Sequence, residues 1–220
     1  MLLLTAWLWL AGCASEKPIL IEEAKYFDGE MPADFSGLWA RDYSRGDSVN
    51  QVLRDAYYEL AKKNYNNGQG SSGPSQRDVS MLIPLARLVE LITRTDNLAI
   101  SQTEHEILVE RKDDFAIMCT FFNGIAKPIE NAFGRETCGW SGGRLISVQN
   151  FMDGLRVVNQ FDTSEDRQEL RVITTASSDT APMPFTVTHY YRRFEKVPGR
   201  FECIETLSRK RVCGIGALTP

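Results

Sequence analysis

The sequence predicts a mainly β fold, an antiparallel up-and-down barrel of eight to nine strands with a two-helix insertion between strands 1 and 2. Two observations support this prediction. From Leu98 onwards apolar and polar residues alternate with period two, and turn-forming residues interrupt the pattern at regular intervals. Between residues 47 and 94 the apolar residues instead recur at helical spacing. Short connections join neighbouring antiparallel strands, and a meander of this size loses its exposed edges by closing into a barrel.

The strands are placed by this alternation and by the turns between them. The first strand is expected at residues 34–41, before the insertion, and residues 201–207 would add a ninth. Seven strands are predicted after the insertion, at residues 98–102, 107–111, 115–121, 145–151, 155–161, 169–175 and 185–194.

The insertion, residues 47–94, is predicted to contain two helices. The first follows Asp47 or Ser48 as N-cap and ends near Lys62 and Lys63, where the helix dipole favours cations. A loop rich in Asn, Gly and Ser comes next. The second helix is expected at about 82–94, with Pro84 in its first turn, where the missing N–H is not needed.

The N-terminus suggests an exported chain. The apolar run at residues 2–10 ends in Leu10-Ala11-Gly12-Cys13, which resembles the lipobox of bacterial lipoproteins. This resemblance implies a signal peptide at 1–12, lipidation of Cys13 with palmitate or similar chains, and a tether at 13–33. A plain transmembrane anchor is the alternative, but it needs about 20 apolar residues. Because no Lys or Arg precedes the run, the true start codon could lie upstream.

The same resemblance implies a cellular location, and the chain can be divided into further segments. In sorted lipoproteins an aspartate after the cysteine favours the inner membrane, so Ala14 implies the periplasmic face of the outer membrane. A single barrel domain is then expected at 34–213, with a C-terminal tail at 214–220. A formal net charge of −4 and a pI near 5.4 argue against a nucleic-acid partner.

The five cysteines become four once Cys13 is lipidated, and an even number in an exported chain indicates disulfides. Four cysteines allow three connectivities. We favour the two pairs that are close in sequence and flank turns, although one pair could stay reduced. The favoured pairs are Cys119 with Cys138 and Cys203 with Cys213.

Gly37-Leu38-Trp39 on the first strand, with Arg192 or Arg193 on the last long strand, resembles the lipocalins and the wider calycin group. The resemblance implies that Trp39 plugs one end of a barrel and that a late arginine packs across its ring. A guanidinium over an indole contributes about 0.5 to 2 kcal/mol. The stretches 35–39 and 140–145 also resemble elements of uncharacterised lipocalin-like exported bacterial proteins.

A catalytic reading depends on Ser141. Residues 139–143 match the G-x-S-x-G nucleophile elbow, with Asp153, Asp162 or Asp166 and then His189 following in the order of the α/β-hydrolases. The elbow requires a helix after the serine, whereas a strand is predicted there, so no catalytic residue is expected. With only His105 and His189 in the chain, no metal site and no cofactor is expected either.

The leading functional hypothesis is therefore a non-enzymatic lipoprotein, anchored to the membrane through its N-terminal lipid, whose barrel binds a small apolar or amphipathic ligand. The alternative is an accessory or inhibitor subunit of an envelope complex that uses the helical insertion as its contact surface. A serine esterase-like hydrolase is a third, weaker candidate. Aromatic residues of the predicted sheet could line a cavity or simply pack a core, namely Phe115, Phe121, Phe151, Phe161, Phe185, Tyr190 and Phe194.

Overall fold

The computed structural model describes residues 33–66, 73–111, 115–122, 125–195, 201–206 and 210–215, the last two ranges by their backbone alone. The predictions for the signal peptide, for Cys13, for nearly all of the tether and for most of the C-terminal tail lie outside these residues.

Thirteen strands and two helices are described. They are β1 (Gly37–Gly46), α1 (Val49–Asn66), α2 (Gln76–Thr93), β2 (Asn97–Gln102), β3 (Glu106–Arg111), β4 (Ile117–Phe122), β5 (Ile125–Ala126), β6 (Ile129–Asn131), β7 (Gly134–Ser141), β8 (Arg144–Phe151), β9 (Leu155–Thr163), β10 (Glu169–Ser178), β11 (Phe185–Phe194), β12 (Phe201–Thr206) and β13 (Lys210–Ile215).

The strands form one curled, barrel-like antiparallel sheet and a separate hairpin. The sheet order is β5-β4-β3-β2-β1-β11-β10-β9-β8-β7-β6, and β12 pairs with β13. Strands that are adjacent in the sheet are also consecutive in the sequence, with one exception. Strand β1 pairs with β11, which joins the first strand of the meander to its last long strand. The hydrogen-bonded ladder is therefore interrupted at one place in the described sheet, between the short strands β5 and β6, which we call the seam.

The predicted fold class is confirmed in its main lines, because the protein is mainly β and both helices follow the first strand. The strand count of eight to nine is wrong. The prediction missed β5, β6, β7 and β13, of which β5 and β6 have only two and three residues. Strand β7 lacks a clear alternation because glycines stand at 134 and 139 and charged residues at 135 and 136. The first strand lies at Gly37–Gly46 and not at residues 34–41.

The second helix begins earlier than predicted. It starts at Gln76 behind the N-cap Ser75, whose side chain accepts a hydrogen bond from the backbone N–H of Asp78 at 3.0 Å. Pro84 therefore lies inside the helix and not in its first turn. The prediction gave too much weight to the preference of proline for the first turn, and too little to the Ser75 cap and the acidic residue of the first turn.

Two apolar clusters fill the inner face of the sheet. The first contains Phe35, Trp39, Phe121 and Trp140 and reaches Leu170 and Val172 on β10. In the second, Leu60, Leu82 and Val89 of the helices pack against Val157, Phe185 and Val187 of the sheet. The helical pair thus covers one end of the curled sheet, and the cluster around Trp39 occupies the other.

Side chains hold the seam together. Cys119 of β4 and Cys138 of β7 form a disulfide with their Cα atoms 5.6 Å apart, so the first predicted cysteine pair is present. Beside it the rings of Phe121 and Trp140 lie with their centroids 6.3 Å apart. All four side chains are buried. The two halves of the sheet are therefore joined by a covalent bond and a ring contact at the place where the backbone ladder stops.

Two arginines of the inner face fix the end of α2 to the sheet. Arg41 on β1 donates to the carbonyl of Thr93 at 2.9 Å, and Arg111 on β3 donates to that of Ile92 at 3.0 Å. Both carbonyls lie in the last turn of α2, where cations are favoured by the helix dipole. The backbone N–H of Arg41 also donates to the carbonyl of Asp96 at 2.8 Å. The insertion therefore leaves and re-enters the sheet at adjacent positions.

Candidate functional site

A row of buried polar side chains crosses the inner face of the sheet between the two apolar clusters. It contains Ser147 of β8, Asn159 of β9, Thr174 of β10 and His189 of β11, each less than 5% exposed. Side chains two residues apart on a strand share a face. Asn159, for example, lies between Phe161 of the first cluster and Val157 of the second. We call these four residues the polar row.

The strand register brings the row together. Ser147 is opposite Asn159, and Asn159 is opposite Thr174. The hydroxyl of Thr174 donates to the side-chain oxygen of Asn159 at 2.9 Å. Thr174 is opposite Val187, so His189, two residues further along β11, is its diagonal neighbour. The row thus continues across four adjacent strands.

Glu136 of β7 extends the row towards the seam. Its carboxylate accepts hydrogen bonds from the Ser147 hydroxyl and from the Gln149 side-chain amide, both at 3.3 Å. Burial raises the pKa of Glu136, while those two hydrogen bonds and the Arg111 charge act in the opposite direction. A carboxyl whose pKa is perturbed by burial is a candidate for a functional role.

His189 is the least satisfied member of the row. Its Nε2 atom is buried and has no hydrogen-bond partner among the described residues. Burial, helped by the Arg41 charge, lowers the pKa of His189 to about 4, although the Asp47 carboxylate and a hydrogen bond to the Asp47 backbone oppose this shift. The imidazole is therefore neutral at neutral pH, with a polar nitrogen facing the protein interior.

This pKa makes the stability of the protein depend on pH. Between about pH 6.5 and 4 the unfolded chain binds a proton at His189 that the folded chain does not, so the stabilising contribution is complete above pH 6.5 and is lost as the pH falls towards 4. We expect a loss of up to about 3 kcal/mol in the free energy of unfolding. Urea unfolding at pH 7.5 and 4.5 should show a smaller loss in His189→Gln than in the wild type. Glu136 titrates in both proteins, so an equal loss in both would contradict the assignment to His189.

The end of the interior opposite the helices is closed by Trp39 and Arg193. The guanidinium carbon of Arg193 lies 4.4 Å from the centroid of a Trp39 ring, and its Nη1 donates to the carbonyl of Ser36 at 2.6 Å. Arg192 is on the outer face and pairs with Asp42 at 2.9 Å. Gly37 has a φ of +132°, and a Cβ there would lie 2.6 Å from Arg193 Nη1. A side chain at position 37 would thus displace the arginine from the tryptophan.

The structure does not bring Ser141 and His189 together. Ser141 is exposed at the end of β7, and it is opposite Arg144 across a two-residue turn of Gly142 and Gly143, both with positive φ. A strand follows, and no helix is present there to form a nucleophile elbow. His189 is buried on the inner face of β11, and three strands separate β11 from β7 in the sheet. The nucleophile and base needed by the esterase hypothesis are therefore not paired.

The other candidate residues are placed as follows. His105 is exposed in the turn between β2 and β3. Within the described part of the chain no group of three or more His, Cys, Asp or Glu residues could hold a metal ion. Cys203 and Cys213 are directly opposite each other in the β12–β13 register, while their side chains lie outside the described residues. Neither described helix is long and apolar enough to cross a membrane.

The aromatic residues that were predicted to line a cavity or pack a core lie partly in the two apolar clusters and partly on the surface. Phe121 and Phe161 belong to the first apolar cluster, and Phe185 belongs to the second. Phe115 is exposed and Phe194 is partly exposed at 38%. Phe121, Phe161 and Phe185 therefore serve as core side chains.

The polar row was not predicted from the sequence, although a signal for it is present there. In each of β9 to β11 a polar residue takes an inward position of the alternation, two residues from apolar neighbours, as in Val157-x-Asn159-x-Phe161. On β8 the inward residue Ser147 follows Leu145 and precedes Gln149. A single such residue is common in a strand, and only the strand register shows that these polar residues lie side by side.

Comparisons with protein-family models, curated proteins and solved structures found no match.

Proposed function

We propose that this chain is a non-enzymatic binding protein of the bacterial envelope that holds a small amphipathic ligand inside its curled sheet, at the polar row. In this proposal lipidated Cys13 tethers it to the periplasmic face of the outer membrane, and the fold is a lipocalin-like barrel. The pairing of β1 with β11 and the position of Arg193 over Trp39 support the lipocalin-like assignment.

The observation that carries the proposal is the buried Nε2 of His189, which has no hydrogen-bond partner among the described residues and lies in a row that separates two apolar clusters. Burying a polar group without a hydrogen bond costs about 1 to 3 kcal/mol, so an interior selected only for stability would be apolar there. A ligand with one polar group and an apolar body matches this arrangement. Its polar group would meet the row, and its body would lie against a cluster.

The proposal is tested by native mass spectrometry of the purified protein after incubation with envelope lipid extract. We expect a discrete mass gain that is weakened in Asn159→Leu, because leucine removes the amide from the centre of the row. Ser141→Ala, on the exposed β7–β8 turn, is the control and should bind as the wild type does. The absence of any mass gain in the wild type would refute ligand binding.

Anchoring is tested separately. Cys13→Ser should move the protein from the membrane fraction to the periplasmic fraction and abolish labelling by a clickable palmitate analogue. Retention of both the label and the membrane location in this variant would contradict the lipoprotein assignment.

A second candidate function, binding of an envelope protein through the helical insertion, is favoured by one observation. Between α1 and α2 there is an almost wholly apolar cleft of about 270 Å³, whose lining includes Leu53, Tyr57, Tyr58 and Ile83. Tyr58 is 67% exposed, and Tyr57 is 45% exposed. The helical pair does not need aromatic residues on this outer side to cover the end of the sheet.

This second function is tested by cross-linking in intact cells, followed by capture of the tagged protein. The variant Tyr57→Ser/Tyr58→Ser should lose a cross-linked partner that the wild type retains. Tyr65→Ser is the control, because Tyr65 is a tyrosine of α1 that is 71% exposed and lies outside the cleft lining. An unchanged cross-linking pattern in the double variant would exclude the cleft as the contact surface.

A further inference from the structure

The three most exposed large apolar side chains of the described residues are at the tips of three turns. Phe115 is 87% exposed between β3 and β4, Phe133 is 76% exposed between β6 and β7, and Met152 is 83% exposed between β8 and β9. Phe133 and Met152 are the chain neighbours of Gly134 and Phe151, which are directly opposite each other in the β7–β8 register. These two tips are therefore adjacent. We call Phe115, Phe133 and Met152 the apolar tips.

The contacts across the seam place Phe115 at the same end of the sheet as the other two tips. The disulfide joins β4 to β7, and two residues further along both strands the rings of Phe121 and Trp140 lie beside each other. The two strands therefore run in the same direction at the seam. Phe115 and Phe133 precede the two cysteines by four and five residues, respectively, so both lie where their strands begin.

The helical pair is at this end of the sheet too. Arg111 donates to the carbonyl of Ile92, in the last turn of α2, and to the carbonyl of Phe115, both at 3.0 Å. Phe151, the residue before Met152, packs against the second apolar cluster, which contains the buried residues of both helices. The apolar tips therefore lie beside the helical pair, and we call this the helical end of the domain.

This arrangement fits a lipid surface better than a protein partner. A protein interface has a continuous apolar core within a polar rim. The apolar tips are instead on three separate turns, with the charged residues Arg135 and Asp153 next to them in the chain. A bilayer is planar and deformable, so it accepts separate apolar side chains without a matching pocket for each. Apolar groups of proteins that lie on a membrane are buried about 5 to 10 Å deep, at the boundary of head groups and acyl chains.

The chain before the described residues is long enough for the helical end to face a membrane to which Cys13 is anchored. Ala33 packs against the first apolar cluster, at the opposite end of the sheet, and is 20 positions after Cys13. Twenty residues can span at most about 66 to 72 Å. The ten-residue strand β1 rises only about 33 Å along the sheet. An anchored chain can therefore pass the length of the sheet and still reach the membrane.

We infer that the apolar tips insert into the interfacial layer of a phospholipid membrane and hold the helical end of the domain against it. A small apolar insertion gives weak, reversible binding, and stable attachment needs a second signal, here the lipid proposed for Cys13. Since the chain has a formal net charge of −4, anionic lipid should not strengthen the binding. The inference does not depend on a ligand at the polar row. It is tested without the lipid on Cys13, so its failure is distinguishable from the failure of either proposal above.

The first test is sedimentation with phosphatidylcholine vesicles, with and without added phosphatidylglycerol. The protein is the chain from Cys13 onwards carrying Cys13→Ser, which lacks both the lipid and the apolar run at residues 2–10. We expect Phe115→Ser/Phe133→Ser/Met152→Ser to lower the partition coefficient at least about tenfold, because the variant loses apolar area that the bilayer would bury. Circular dichroism establishes that each variant is folded.

Phe122→Ser is the matched control, because Phe122 is 72% exposed at the other end of β4 from Phe115. This variant should bind vesicles as the wild type does. An equal loss in the control, no loss in the triple variant, or binding that requires phosphatidylglycerol would overturn the inference.

The second test measures which end of the domain enters the bilayer. Phe133→Trp and Phe122→Trp are compared in the same unlipidated chain, with vesicles that contain brominated lipid. Trp39 and Trp140 are buried and give a constant background. We expect quenching and a blue shift of the emission for Phe133→Trp, and neither for Phe122→Trp. Absence of quenching in Phe133→Trp, or equal quenching in both variants, would overturn the inference.

Discussion

Replacing both Cys119 and Cys138 with alanine is expected to open the sheet at the seam and to lower the free energy of unfolding by about 3 kcal/mol. The two residues are 19 positions apart, and their disulfide joins β4 to β7, where the described sheet has no backbone ladder. Without it the seam keeps the contact between Phe121 and Trp140. Urea unfolding of the oxidised wild type and of the double variant measures the loss.

Tryptophan quenching determines whether the loss is local to the seam. Trp140 is at the seam, whereas Trp39 is on β1, at the centre of the sheet order. The measurement uses the chain from Cys13 onwards, which lacks Trp7 and Trp9. In a Trp39→Phe background, acrylamide should quench Trp140 more strongly after removal of the disulfide. In a Trp140→Phe background, quenching of Trp39 should stay unchanged. Similar increases at both tryptophans would indicate general loosening and contradict a seam held by this bond.

Trp39→Ala is expected to lower the free energy of unfolding by about 3 to 5 kcal/mol, the usual cost of truncating a large aromatic side chain in a core. Trp39 is fully buried, its indole N–H donates to the carbonyl of Phe35 at 2.9 Å, and Arg193 packs on its ring. The substitution therefore creates a cavity and removes the surface on which the arginine rests. Chemical denaturation monitored by circular dichroism measures the change.

Phe133→Ala is the matched control for Trp39→Ala. Phe133 is also aromatic but is 76% exposed in the turn between β6 and β7, so its truncation should change stability by no more than about 0.5 kcal/mol. Similar losses in the two variants would show that Trp39 is not a central core residue.

The parts of the fold that were predicted correctly are those with a strong local pattern. The alternation in residues 169–175 and 185–194 indicated β10 and β11, and the helical spacing after Asp47 indicated α1. Strand β7 was missed because its inner positions are Glu136, Cys138 and Trp140, a set without a uniform apolar signal. Asp47, proposed as an N-cap, accepts a hydrogen bond from the backbone of Thr188 at 2.7 Å, a contact across 141 residues that no local pattern contains.

The candidate site was even less accessible to sequence reasoning. His189 was noticed only as a partner for Ser141, and the strand register places those two residues apart. Ser147, Asn159 and Thr174 lie on three strands, and their alignment depends on register, which the lengths of the intervening turns and the packing of the core determine together. Chemistry that depends on such an alignment becomes visible only in three dimensions.

The hydrogen bond from Arg41 to Asp96 has a consequence for how this fold can be altered. Residues 42–95 connect two positions that are already neighbours in the sheet, since Ala40 is opposite Asn97. The helical pair is thus a cassette carried on a β-hairpin, and a change in its length leaves the pairing of β1 with β2 in register. A replacement insertion would have to meet two requirements. It needs a helix whose last carbonyls accept hydrogen bonds from Arg41 and Arg111, and it needs an apolar face that covers the open end of the sheet.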